Sequence, residues 1–215
     1  MILSGRVTVG GAIAMIGQSA RFGIDEIAVD GIPLEYGINP VYIMLNKPRG
    51  YVTTMNDERG RKTVVSLVAG AGVRVYPVGR LDMNSEGLLL MTNDGAFAYS
   101  VAHPSSNIKK TYEVCVRGDA SAAAMRMRSP MRIDSCTIQA QEASLIKKAS
   151  GGGVLRISIY EGRNRQIRKM CAHCGLDVLW LKRVSIGALA LGSLKTGQWR
   201  YLTEEERKSL LKADK

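Results

Sequence analysis

Apolar and polar positions alternate in short runs along this chain, and most of the runs have the period of strands rather than helices. Residues 4–9 alternate and are turned by Gly10-Gly11. Residues 26–29 form a second short run ending in Asp30-Gly31, a pair that favours a tight hairpin. Residues 33–40, with Gly37 among them, have the composition of a linker. Continuous apolar runs at 41–45 and 88–91 predict strands buried on both faces. Strands are also expected over 73–78, 109–117, 136–146, 154–160, 177–181 and 184–191, with Ser150-Gly151-Gly152-Gly153 joining two of them.

Helical signals are fewer. A short helix is expected over 63–68. Asn93 or Asp94 can cap another over 96–102, which must stop before Pro104. Residues 120–128 have helical propensity. The clearest helix covers 164–174, where Ile167, Met170, Cys171 and Cys174 form one apolar stripe and Gly175 closes the end. Thr203 opens a last helix, with Glu206 three residues on as a capping box. Strands outnumber helices and the connections are short. The expected class is therefore α/β of the α+β type: a mixed, largely antiparallel sheet with flanking helices. Residues 1–37 form a small unit of strands and turns, and residues 38–215 form the main domain.

One loop does not fit a purely structural role. In PVGRLDMNSEGLLLMTNDG, residues 77–95, Arg80-Leu81-Asp82 sits between Gly79 and Gly87, directly before the buried run. A carboxylate there is commonly a turn residue held by backbone amides. It is also a carboxylate on a rigid support, as a reactive group requires. Glu86 lies nearby, so a paired-carboxylate glycosidase is a second reading of the same loop.

Charge narrows the partner. Among 215 residues, 30 are Lys or Arg and 19 are Asp or Glu, a net charge of +11 that points to a polyanion, nucleic acid first. Arg163, Arg165, Arg168 and Lys169 crowd the start of the 164–174 helix, and Lys109-Lys110 precede Tyr112. A basic run is commonly a solvated face, and a strand tyrosine is commonly core. Cations beside an aromatic are equally what an RNA site uses to hold an unstacked base. Cys171 and Cys174 have ligand-like spacing, but both lie on the apolar stripe and no second pair accompanies them, so no metal is expected. Phosphate-loop and dinucleotide-binding fingerprints are absent from the sequence, and no nucleotide cofactor is expected. Free thiols and the lack of a leader pattern or a ~20-residue apolar run point to a cytoplasmic protein.

Together these motifs resemble the RsuA-type ribosomal RNA pseudouridine synthases. Gly79-Arg80-Leu81-Asp82 followed by Ser85-Glu86-Gly87 and the run to Gly95 resembles the family signature. Lys47-Pro48-Arg49-Gly50 is similar to its first loop, and residues 110–114 to its tyrosine strand. Residues 161–170 are similar to its basic motif. Leu181-Lys182-Arg183 to Gly187, Gly197-Gln198-Trp199-Arg200 and residues 202–206 are similar to its C-terminal pattern.

The resemblance implies an isomerisation of uridine in rRNA that needs no cofactor, nucleotide or metal. It implies Asp82 as the catalytic carboxylate, Tyr112 as the ring that stacks on the flipped base, and Arg168 as the basic partner of Asp82. It implies Lys47, Arg49, Arg80, Lys110, Arg163, Arg165, Lys169 and Arg183 as RNA-binding residues, Arg80 on phosphate. Many relatives carry histidine where this chain has Arg165. Residues 1–37 resemble only the second half of the family's alpha-L module, without the basic helices that precede it, so a partial RNA-binding module is expected. The protein is expected to be a monomer acting on naked rRNA or a pre-ribosomal particle, away from any membrane. A non-catalytic ribosome-assembly factor on the same fold is the alternative.

Overall fold

A computed structural model describes residues 1–21, 24–34 and 39–211. The chain divides into two compact units, Met1–Pro40 and Val41–Lys215. The expected boundary at 37/38 lies outside the described residues. The first unit is a four-stranded antiparallel sheet of β1 (Val7–Val9), β2 (Ala12–Ile13), β3 (Ile27–Val29) and β4 (Ile32–Pro33), in the order β2-β1-β3-β4. Asp30 and Gly31 both have positive φ, 54° and 78°, as a two-residue hairpin between β3 and β4 requires.

The second unit is built on β5 (Tyr42–Lys47), β6 (Tyr76–Val78), β7 (Glu86–Thr92) and β8 (Lys110–Arg117). A small two-stranded sheet of β9 (Met131–Ile133) and β10 (Cys136–Ile138) follows. Then come β11 (Glu142–Ala149), β12 (Gly152–Ile159), β13 (Asp177–Ile186), β14 (Leu189–Ala190) and β15 (Trp199–Tyr201). The large sheet runs β11-β12-β8-β13-β7-β5-β15, with β14 on β13 and β6 on β7. Among the described strands of this sheet, only the β13–β7 pair is parallel. The helices are α1 (Gly95–Ala102), α2 (Ala120–Met127), α3 (Gln166–His173) and α4 (Glu204–Leu211), with a 3₁₀ segment at Val64–Ala71.

Residues 88–91 of β7 are apolar throughout because helices cover both faces. Leu89 and Met91 of β7 pack with α2 and α3 residues, whereas Leu88 and Leu90 pack with Phe97 of α1 and Leu210 of α4. Local signals start the helices where expected. Asp94 caps α1 by accepting from Phe97 N at 3.1 Å. Thr203 and Glu206 form the reciprocal capping box, at 3.2 and 3.0 Å.

Two strand expectations are corrected. Residues 136–146 are not one strand: β10 pairs back on β9, and β11 begins a new strand at Glu142. Asp134, at φ 47°, makes the turn that separates β9 from β10. Residues 177–186 are one strand, not two, because register shifts at Val178/Trp180 and Arg183/Ser185 absorb the irregularity.

Gly87 holds the parallel pair together. Its φ is 106°, and a Cβ there would lie 2.2 Å from the backbone oxygen of Arg183. Gly87→Ala should therefore cost at least ~3 kcal/mol, since two backbones rather than a side chain must separate. Urea unfolding measures this; a loss under ~1 kcal/mol would contradict so close an approach of β7 and β13.

Candidate active site

The loop between β6 and β7 is held at every carbonyl from Leu81 to Ser85. Thr53 Oγ1 donates to Leu81 O at 2.7 Å, and Lys47 Nζ donates to Asp82 O at 3.1 Å and to Ser85 O at 2.9 Å. Gly50 N donates to Met83 O at 2.8 Å, and Arg168 Nη2 donates to Asn84 O at 2.9 Å. The turn after β5 thus acts as a template for the loop, with the start of α3 closing it from the other side. Such fixation places one carboxylate, that of Asp82, without relying on the side chain itself.

Lys47 is entirely buried and donates also to Pro48 O at 3.0 Å. Its expected role as an RNA-binding residue is corrected: the ammonium has no access to a phosphate. Burial pulls its pKa from 10.5 down to about 8, opposed by the nearby Asp82 and Glu86. No sequence signal separates this lysine from a surface one, since its acceptors come from residues 35 and 38 positions away.

Asp82 lines a cavity of about 680 Å³, together with Arg80, Lys110, Tyr112, Arg165, Arg168 and Arg183. Tyr112 is 93% buried at its wall, on β8. The arginine that reaches the carboxylate is Arg165, whose Nη1 lies 3.7 Å from Asp82 Oδ2. The direct pairing expected of Arg168 is thereby corrected. Arg168 is half-buried and spends its Nη2 on Asn84 O, with Ser85 Oγ 3.5 Å away. Burial and the neighbouring Arg165 depress its pKa, and Asp82 acts in the opposite direction. Arg165 is the residue just before α3 and holds φ 52°, ψ 30°, a left-handed conformation that costs a non-glycine residue ~1–2 kcal/mol. That backbone turn is what aims its side chain at Asp82.

The remaining expected cations fall into three groups. Arg49 and Arg80 are exposed and make no ion pair among the described residues. Arg163 pairs with Glu161, and Lys169 pairs with Asp134 at 2.5 Å, so both are tied to acids of their own chain. Lys110 is half-buried and Arg183 is inside. Lys110 Nζ donates to Ile108 O and Tyr160 O, both at 3.1 Å, and burial followed by Arg183 brings its pKa to about 8. Arg183 is 4% exposed and lines the same cavity as Asp82.

Glu86 is absent from the cavity wall, and Glu161, which does line it, is held by Arg163. The two-acid arrangement of a glycosidase is therefore not formed around Asp82. Cys171 is fully buried among core residues, its thiol pushed up to about 12 by burial.

The two arginines near Asp82 can be told apart. The Arg165 pair is long and half-exposed, worth ~0–1 kcal/mol to stability. Arg165→Gln should keep stability within ~0.5 kcal/mol and lower kcat/KM about tenfold or more. Arg168→Met strips a charged donor from a loop carbonyl and should cost ~1.5–3 kcal/mol along with activity. Thermal melts beside single-turnover rates check both; equal destabilisation by the two would contradict this division of labour.

Comparison with known proteins places the chain. Residues 41–173 match the RNA pseudouridylate synthase family model. The chain is 37% identical to ribosomal large subunit pseudouridine synthase B of Bacillus subtilis, covering 98% of this chain and 87% of that protein. It is 35% identical to an uncharacterized RNA pseudouridine synthase of Aquifex aeolicus, over 99% and 86%. A crystal structure of a pseudouridylate synthase superposes with a TM-score of 0.71 at 28% identity, covering 97% of this chain and 90% of that one. An archaeal box H/ACA sRNP structure shares the fold at a TM-score of 0.56 and 17% identity.

Proposed function

This chain belongs to the RNA pseudouridylate synthase family, and from that premise we propose that it isomerises a uridine of ribosomal RNA with Asp82 as the catalytic carboxylate. The observation that carries the reading is the backbone-anchored loop presenting Asp82 to a cavity that also holds Tyr112 and several arginines, Arg165 nearest the carboxylate. The cavity has room for a base taken out of its stack. In the reaction the bond from ribose C1′ to uracil N1 breaks and a bond from C1′ to C5 forms. The C5 proton leaves to solvent and N1 gains one, so product and substrate are isomers.

Each group has a stated part. Asp82 acts at the ribose or the base as nucleophile or anionic partner. Arg165 sits at the carboxylate and Arg168 braces its loop. Tyr112 stacks on the base and assists removal of the C5 proton. Exposed Arg80 and Arg49 take backbone phosphate as the nucleotide is extruded. Residues 1–37 serve as an RNA-binding unit beside the catalytic domain. The protein acts as a monomer in the cytoplasm, on naked rRNA or a pre-ribosomal particle.

Tritium release from C5-labelled uridine in rRNA tests the reaction. A synthase releases tritium and leaves chain and bases in place. A glycosidase would release uracil, and a non-catalytic assembly factor would release nothing; either result overturns the proposal.

A further inference from the structure

Among the described residues, Arg183 and Arg168 each bury a guanidinium nitrogen without an acceptor, and Arg183 is the more enclosed of the two. It is 4% exposed, its Nε donates to Leu88 O at 2.7 Å, and its Nη2 is buried without any acceptor. A buried donor left unpaired carries the full cost of its desolvation, and more so on a charged group. Arg183 also lines the cavity that contains Asp82. On the sheet it is the cross-strand neighbour of Tyr112, so the two side chains stand on the same face. Its backbone is pinned against Gly87 and its Nε against the next residue of β7, which leaves the guanidinium little freedom to find another partner.

We propose that Arg183 is the base-reading residue of the cavity: its free guanidinium N–H donates to the C4 carbonyl oxygen of the bound uracil and selects uracil over cytosine. The inference rests on the uridine reading above and extends it to how the base is chosen. Depth decides which atom is read. The Asp82 side chain is 34% exposed, whereas Arg183 is almost wholly enclosed. The sugar must stay by Asp82, on the accessible side. Uracil lies with N1 towards the sugar, and C4 is the ring position opposite N1, so the C4 oxygen is carried to the enclosed end. Cytosine has an amino group there. Two donors would then face each other, and the guanidinium would remain unpaired with the base in place. Sites built to hydrogen-bond one group reject the analogue that lacks it far more strongly than apolar pockets reject an extra methylene.

Binding tests this without turnover. The full chain is titrated into fluorescent single-stranded heptamers with one central pyrimidine among adenosines: uridine, cytidine, 4-thiouridine or 2-thiouridine. The wild-type protein should bind the uridine oligomer roughly tenfold to a hundredfold more tightly than the cytidine one, the range of one charge-assisted hydrogen bond. 4-Thiouridine, a poorer acceptor at C4, should bind more weakly than uridine, and 2-thiouridine about equally. Arg183→Met should bind uridine, cytidine and 4-thiouridine oligomers alike, because the reading group is gone. Arg183→Lys, which keeps the charge, should retain part of the preference and shows whether misfolding rather than lost recognition explains the Met variant. Circular dichroism and melting accompany both. The proposal is overturned if wild type does not distinguish uridine from cytidine, if Arg183→Met keeps the preference, or if the 2-thio rather than the 4-thio substitution is the one coupled to Arg183. Failure of tritium release with intact base preference would strike the reaction and leave this inference standing.

Discussion

Asp82→Asn should give a folded protein that binds rRNA and turns none of it over. The substitution keeps size and shape and removes one negative charge. The loop does not depend on that charge, because its carbonyls from Leu81 to Ser85 are held by Thr53, Lys47, Gly50 and Arg168. The carboxylate's own ion pair, at 3.7 Å to Arg165, is weak by geometry. Stability should therefore stay within ~0.5 kcal/mol of wild type. RNA affinity should hold or rise, since a negative charge is lost from a wall rich in arginine. Turnover is another matter: no second acid stands in the cavity free of a partner to replace Asp82. Single-turnover tritium release with saturating, pure Asp82→Asn checks this. Measurable conversion there would remove Asp82 from the chemistry.

Lys47→Met should cost nearly as much, through the loop rather than the reaction. It takes the donor away from three carbonyls at once, those of Pro48, Asp82 and Ser85. An apolar replacement of like volume avoids burying a charge, which alone can be neutral or stabilising. The stranded carbonyls decide the outcome, at ~1–3 kcal/mol for each that stays dry. A loss of several kcal/mol and a fall in kcat well beyond that of Arg165→Gln are expected. The same ammonium gives a pH signature. Its pKa in the fold is about 8 against an ordinary 10.5. Above about 8 it keeps two hydrogens for three carbonyls, and activity should decline through that point. Stability moves the other way. The unfolded chain binds the extra proton between about 8 and 10.5, so the cost of burying the charge is fully present below that window and relieved across it. Lys110, also about 8, titrates with it. Lys110→Met isolates the Lys47 step in a kcat/KM profile from pH 6.5 to 10 at fixed ionic strength, a span of about 3.5 units that brackets both protonation states. A flat profile in that variant would sink the anchoring role.

Much of the fold was legible because it rests on local signals. The apolar runs at 41–45 and 88–91 became β5 and β7, buried on both faces. The Asp94 cap and the Thr203–Glu206 box formed as expected. The 164–174 stripe packs Ile167, Met170 and Cys171 into the core. Misreadings fell where local pattern and pairing part company. An apolar stretch at 136–146 cannot reveal that its first half pairs backward through a turn at Asp134. Nor can 177–191 reveal that bulges keep β13 continuous.

Periodicity, turn glycines and caps needed only the sequence, because each acts between residues a few positions apart. They determined the α+β class, the order of elements and the presence of a carboxylate, Asp82, in a loop before a buried strand. The fate of each cation was decided by the tertiary structure. Lys47 looks like any lysine in a basic turn until β7 brings Asp82 O and Ser85 O over it. Arg165 and Arg168, three residues apart at the start of one helix, divide their tasks only because Arg165 adopts a left-handed backbone and Asn84 O lies under Arg168. Arg183, an RNA-binding candidate by resemblance, becomes an enclosed donor because Gly87 lets β13 close on β7. A charge becomes anchor, partner or reader according to which acceptors reach it, and those acceptors come from strands far away in the chain.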